Sequence, residues 1–329
     1  MNATISNSRL CPRDSRITEV VYPILYSIIF IISCSLNSLA IWIFFNIRKR
    51  QSFIFYLKNL AVADLLMTLT FPFKILSDSN LAPWQLTWFV CRYSAVVFYL
   101  NMYVSLLFLS LISLERCLKI VKPFRNSKFH HIKCARIFSA GVWLFMLTLG
   151  VPNMILTNKM ATPTNVKHCA SLKGSLGKVW HEAVVYICIL MFFTGLLVLL
   201  VCYILIAKEI QKSNIKFKTC IKRNSKTSQN IACVVAVFFI CFVPYHFWRV
   251  PFTISQMDGI FNCTAESILY HGKEITQFLA ACNGCLDPII YFFMCKSFHE
   301  LLLQKLNIKI KIPDTRLSGN YKRPEVHTI

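Results

Sequence analysis

Long apolar stretches separated by short polar connectors dominate the chain. Seven of them, near residues 22–47, 53–76, 89–120, 134–156, 180–207, 229–254 and 271–295, are long enough to cross a hydrocarbon core, which takes roughly 20 helical residues. The runs are apolar at consecutive positions rather than alternate ones, so they read as helices and not as strands of a membrane barrel. No internal repeat or low-complexity tract interrupts them. After the seventh run, KSFHELLLQKLNIKIKI sets Phe298, Leu301, Leu302 and Leu306 at helical spacing beside Lys296 and Lys305, the pattern of a helix lying on a membrane surface. The expectation is an all-α membrane protein: a seven-transmembrane helix bundle with a short interfacial eighth helix. Residues 22–308 form the bundle and that helix, 1–21 an extracellular N-terminal segment and 309–329 a cytoplasmic tail. The start, MNATISNSRLCPRDSRITEVV, lacks the apolar core and cleavage site of a signal peptide, so the first span is expected to insert itself.

Composition supports this reading. Hydrophobic residues make up 56% of the chain and charged ones 15%, against about 25% charged in soluble domains. A net charge of +22 would suggest nucleic acid in a soluble protein. Here the bases cluster at 48–50, 119–136, 208–226 and 296–323, all on one side of the predicted topology. That side is cytoplasmic by the positive-inside rule, and the N-terminus is extracellular. Two glycosylation tripeptides, at Asn2 and Asn262, fall on the outer face. Most of the 15 cysteines lie dispersed in apolar runs, without the spacing of a zinc site. Four are exterior: Cys11, Cys91, Cys169 and Cys263 allow three pairings.

Ionisable groups inside the spans are costly and mark function. Asp64 and Asp287 sit deep in the second and seventh runs, Glu115-Arg116 closes the third, and Pro244 interrupts the sixth above Phe238 and Phe242, where it should kink the helix. His246, Arg249 and Gln256 fall on one helical stripe near the outer surface. The outer ends also hold Arg92, Lys167, His168, Lys173, Lys178, His181 and Lys273, a positive charge that the positive-inside rule leaves unexplained and that calls for an anion. Tyr99 and Tyr103 on the third span, with Asn153, Gln256 and Gln277, lie among these bases. Bases, tyrosines and amides together suit a phosphate attached to a flat ring. The outer half of the third span has no Asp or Glu to serve as counter-ion for a cationic amine.

Asn37, LAVADLL around Asp64, SLERCLKIVKPF, Trp143, CFVPYH and CLDPIIYFF together resemble a rhodopsin-like G-protein-coupled receptor from about residue 20 to 305. Glu115-Arg116-Cys117 stands where that family usually has Asp-Arg-Tyr, and Asp287-Pro288-Ile289-Ile290-Tyr291 where it usually has Asn-Pro-x-x-Tyr. Longer stretches, among them SFIFYLKNLAVADLLMTLTFPFKILSDSNLAPWQL, VPNMILTNK and PYHFWRVPFTISQ, are similar to the Gi-coupled branch of the purinergic nucleotide receptors, and most of all to its ADP-responsive members. The resemblance implies the pairings Cys91–Cys169 and Cys11–Cys263. It implies a sodium-linked polar network at Asp64 and Asp287, and a latch at Glu115 and Arg116 released on activation. Pro244, Phe242, Asp287, Pro288 and Tyr291 would belong to the same activation path. It further implies a diphosphate held by Arg249 and Lys273, with Tyr99, Tyr103, Asn153, His181 and Gln256 around the nucleoside. Lys167, His168, His246 and Gln277 complete the expected ligand set. This chain departs from the ADP receptors at His168, Phe252 and Val185, where they carry a lysine, a tyrosine and an asparagine.

The expected function is thus a plasma-membrane receptor for an extracellular purine nucleotide, ADP foremost, acting through Gi, with no cofactor. A receptor for a nucleotide sugar or an anionic lysolipid on the same fold is the alternative. A transporter would be expected to show internal repeats or paired broken helices. An enzyme would need a nucleophile–base motif or metal spacing, and neither accompanies His246, Arg249 and Lys273.

Overall fold

Lipid offers no partner for a bare backbone N–H or C=O, so apolar runs of this length fold as helices. The computed structural model describes residues 16–48, 51–121, 131–166, 169–216, 221–258 and 262–305, and the regular secondary structure of these residues is all helical, without strands. Seven spans are long and apolar enough to cross a membrane. A π turn, Ile17–Val21, leads into α1 (Tyr22–Asn46). The second span is α2 (Ser52–Thr68) and α3 (Phe71–Asp78). The third is α4 (Trp84–Phe89), a π turn and α5 (Ala95–Val121). Then come α6 (Ile132–Ile155), α7 (Ser175–Lys216) and α8 (Ile221–Asp258). The seventh span is α9 (Cys263–Ala281) and α10 (Asn283–Met294), and α11 (Lys296–Lys305) follows it.

The third span is the axis of the bundle. Within its most apolar stretch 67% of residues are buried, against 28% for α6, and α5 packs on α2, α6, α7 and α8. The second and seventh spans break ahead of Pro72 and Pro288, and a neighbouring side chain can answer a carbonyl that proline leaves bare. Pro288 removes the bond that Gly284 would have received, and the Gly284 carbonyl instead accepts from Asn37 Nδ2 on α1 at 2.6 Å. Trp143 Nε1 on α6 donates to Asn59 Oδ1 on α2 at 3.0 Å. Gly272 lets α9 approach α8 closely, because a Cβ there would meet the Trp248 ring at 2.5 Å.

Several boundaries extend beyond the sequence expectation, and two of them have a plain physical reason. The seventh span starts at Cys263 rather than near residue 271. Glu266 and His271 make the intervening turns polar enough to read as loop, but Asn262 caps the helix, its side chain accepting the Ala265 N–H at 2.9 Å. α7 runs on to Lys216, since an established helix continues past the bilayer into polar sequence at little cost. α11 confirms the expected eighth helix; Phe298 is buried against Phe44 and Tyr291, while Leu306 lies outside the described residues.

Candidate functional site

A cavity of about 350 Å³ lies among α3, α5, α6, α7, α8 and α9, at the end of the bundle where the Cys91–Cys169 disulfide joins the loop before α7 to the start of the third span. Of the expected ligand residues, Tyr99, Tyr103, Asn153, His181, Arg249, Lys273 and Gln277 all line it, as do Phe252 and Val185. Lys167, His168 and the side chain of Gln256 lie outside the described residues, as do Asn2 and Cys11.

One wall, built by α5, α6, α7 and α8, carries charge without counter-charge. Arg249 is 9% exposed. Its guanidinium lies 5.5 Å from the centre of the Tyr99 ring, and no carboxylate of the described residues pairs with it. Tyr99 donates its hydroxyl to Gln277 Oε1 at 2.8 Å, which fixes the ring beneath the arginine. Lys173, from the loop, donates to Asn153 Oδ1 at 2.8 Å. Burial lowers the Lys173 pKa to about 8.

The opposite wall, built by α3 and α9, is neutralised. Glu274 accepts from Lys273 Nζ at 2.7 Å and from Lys74 Nζ at 3.0 Å, and Lys74 also pairs with Asp78 at 2.8 Å. Two ammoniums and two carboxylates therefore cancel. Sequence reasoning counts Lys273 among unopposed bases and misses Lys74, Asp78 and Glu274. The i,i+4 spacing of Lys74 and Asp78 is a signal, but Lys74 and Glu274 are 200 residues apart.

His246 is placed differently from the expectation. It is 3% exposed and does not line the cavity. Its Nδ1 lies 2.8 Å from the Phe242 carbonyl and its Nε2 3.0 Å from the Tyr103 hydroxyl. Because a carbonyl only accepts, Nδ1 carries the proton, and in the neutral ring Nε2 accepts from Tyr103. The imidazole stacks on Phe192 at 3.9 Å, and Phe192 stacks on Phe238. His246 thus connects the Tyr103 wall of the cavity to the aromatic column flanking Pro244. Three residues on a helix turn about 300°, so Arg249 and His246 differ by roughly 60° in direction. That angle suffices to separate a side chain in the cavity from one behind it.

Deeper in the bundle, Asp64 accepts from Ser105 at 2.8 Å and from Tyr291 at 3.1 Å. Asp287 is wholly buried. At the far end, Glu115 Oε1 accepts from Ser52 at 3.2 Å, and Arg116 Nε approaches Glu115 Oε2 at 3.8 Å.

Residues 36–291 match the family described as 7 transmembrane receptor (rhodopsin family). The chain belongs to this family. G-protein coupled receptor 87 of Mus musculus is 49% identical over 95% of this chain and 87% of its own length. Purinoceptor 13 of Homo sapiens is 48% identical over 92% and 87%, and purinoceptor 14 of Bos taurus is 44% identical over 96% and 94%. The chain is accordingly a multi-pass membrane receptor and not an enzyme, and the cavity and the Glu115–Arg116 pair lie at opposite ends of a receptor bundle.

Proposed function

We propose that this receptor stands in the plasma membrane with its N-terminus outside, binds an extracellular purine nucleotide, foremost ADP, and activates Gi to lower cAMP. The observation that carries this reading is Arg249: a nearly buried guanidinium, facing a cavity, without a carboxylate partner among the described residues. A phosphate supplies the missing charge and matches the planar fork. Lys273 joins it only by sharing its ammonium with Glu274, so Arg249 is the principal anchor. Tyr99, Asn153, His181 and Lys173 surround the nucleoside, and Tyr103 passes its position to His246. The purinoceptor names of two relatives and the basic clusters on the Arg116 side support the same reading and orientation.

In this scheme, drawing Arg249 toward the ligand pivots α8 at Pro244, and the opposite end of the helix moves away from Arg116, exposing it to the G protein. The buried centre fits a hard monovalent cation such as sodium: Asp64 and Asp287 supply carboxylates, and the oxygens of Asn37 and Asn283 are buried without hydrogen-bond partners. Such an ion would hold the resting arrangement.

Glu274 offers an acceptor for sugar hydroxyls on the cavity wall, which makes a nucleotide sugar the specific competitor. The deciding experiment is a panel of ADP, ATP, UDP, UDP-glucose and lysophosphatidic acid against Gi-dependent inhibition of cAMP in cells expressing the receptor. ADP should be the most potent. A response confined to UDP-glucose or to the lysolipid would reassign the ligand, and a response to none of them would overturn the nucleotide reading.

A further inference from the structure

Residues next to one another on a helix do not face each other squarely, so Glu115 reaches Arg116 only obliquely. They form a long ion pair, Nε to Oε2 at 3.8 Å, and Arg116 Nε is buried without a hydrogen-bond partner among the described residues. A different residue is closer. The guanidinium carbon of Arg116 lies 3.3 Å from the centre of the Phe53 ring, and Phe53 is itself 2% exposed. The residue before it, Ser52, donates to Glu115 Oε1. The first two residues of α2 thus take the two halves of the acid–base pair separately, Ser52 the carboxylate and Phe53 the cation.

We infer that Phe53 is a positioning residue for the switch: the face of its ring, beside the Glu115 carboxylate, holds Arg116 in the resting receptor and sets the threshold at which a G protein can claim it. A cation over a ring face is attracted by the negative face of the π system. Because α2 presents the ring and α5 the arginine, a small shift between these two packed helices alters the contact. The inference rests on the proposed coupling role of Arg116, and the two are separable by experiment.

The test is agonist-independent loading of GTPγS onto Gi heterotrimers in membranes holding equal amounts of receptor. Phe53→Leu should raise basal loading about fivefold, the population shift expected from losing one partly desolvated cation–π contact. Mono-, di- and trifluorophenylalanine at residue 53 keep the ring's shape while draining its negative face, so basal loading should climb with each fluorine. Phe53→Trp should lower it below wild type. A trifluoro variant with wild-type basal loading would overturn the inference, and it decides the matter if Phe53→Leu fails to reach the membrane. Arg116→Ala isolates the underlying reading: it should abolish loading, and if it loads Gi as wild type does, the coupling role of Arg116 fails whatever the Phe53 series shows.

Discussion

The two walls of the cavity hold similar numbers of bases and differ in what opposes them. On the α5–α8 wall, Arg249 and Lys173 face open space with an aromatic ring and an amide as neighbours. On the α3–α9 wall, Lys74 and Lys273 are already bound to Asp78 and Glu274. Counting lysines and arginines therefore overstates the field a ligand meets. An incoming phosphate gains most where no carboxylate must first be displaced, because an uncompensated buried charge is the expensive one.

The sharpest way to break this contrast is Arg249→Ala. Truncating a buried charge partner costs roughly 2–5 kcal/mol, so ADP potency should fall by about thirtyfold to a few thousandfold in the cAMP assay at matched surface expression. Wild-type potency would remove Arg249 from the ligand site. Lys273→Met should cost less, about tenfold, since Glu274 already takes much of its charge. Glu274→Gln should run the other way: with Lys273 released and Lys74 still held by Asp78, potency should improve by about fivefold. Loss of potency in a well-expressed Glu274→Gln receptor would mean that the network shapes the cavity rather than competing with the ligand.

The smallest effect concerns pH. Burial disfavours the Lys173 ammonium in the empty receptor, with its pKa lowered to about 8, while a bound anion favours it. Binding above that pH therefore takes up a proton, and affinity falls as pH rises. ADP potency should drop by about twofold between roughly pH 7 and 8, and the slope should vanish in Lys173→Met. An unchanged slope in that variant would place the titrating group elsewhere.

The fold is largely legible in the sequence because a seven-fold alternation of apolar runs and connectors admits few other answers, and α11 is readable from four apolar residues at helical spacing. What escapes is set by contacts distant in sequence. The start of α9 depends on the Asn262 cap, which hydropathy does not weigh. The neutral wall depends on Lys74 meeting Glu274 across the bundle. The stripe of His246 and Arg249 does face inward, yet a stripe gives a face and not a depth, and Tyr103 stands between His246 and the cavity. Adjacency in sequence pairs Arg116 with Glu115 and misses Phe53, which another helix places over the guanidinium.

The Tyr103–His246 hydrogen bond has a pharmacological consequence. Under the proposed reading, an occupant of the cavity would be gripped by Arg249 but reported by Tyr103, whose contact with His246 is made behind the cavity wall. Affinity and efficacy would then rest on different side chains. A compound that keeps a phosphate on Arg249 and leaves Tyr103 undisturbed would occupy the receptor tightly and say nothing to it. One that crowds Tyr103 with only a weak anion would speak clearly at low occupancy, and chemistry at the two ends of a ligand could be varied independently.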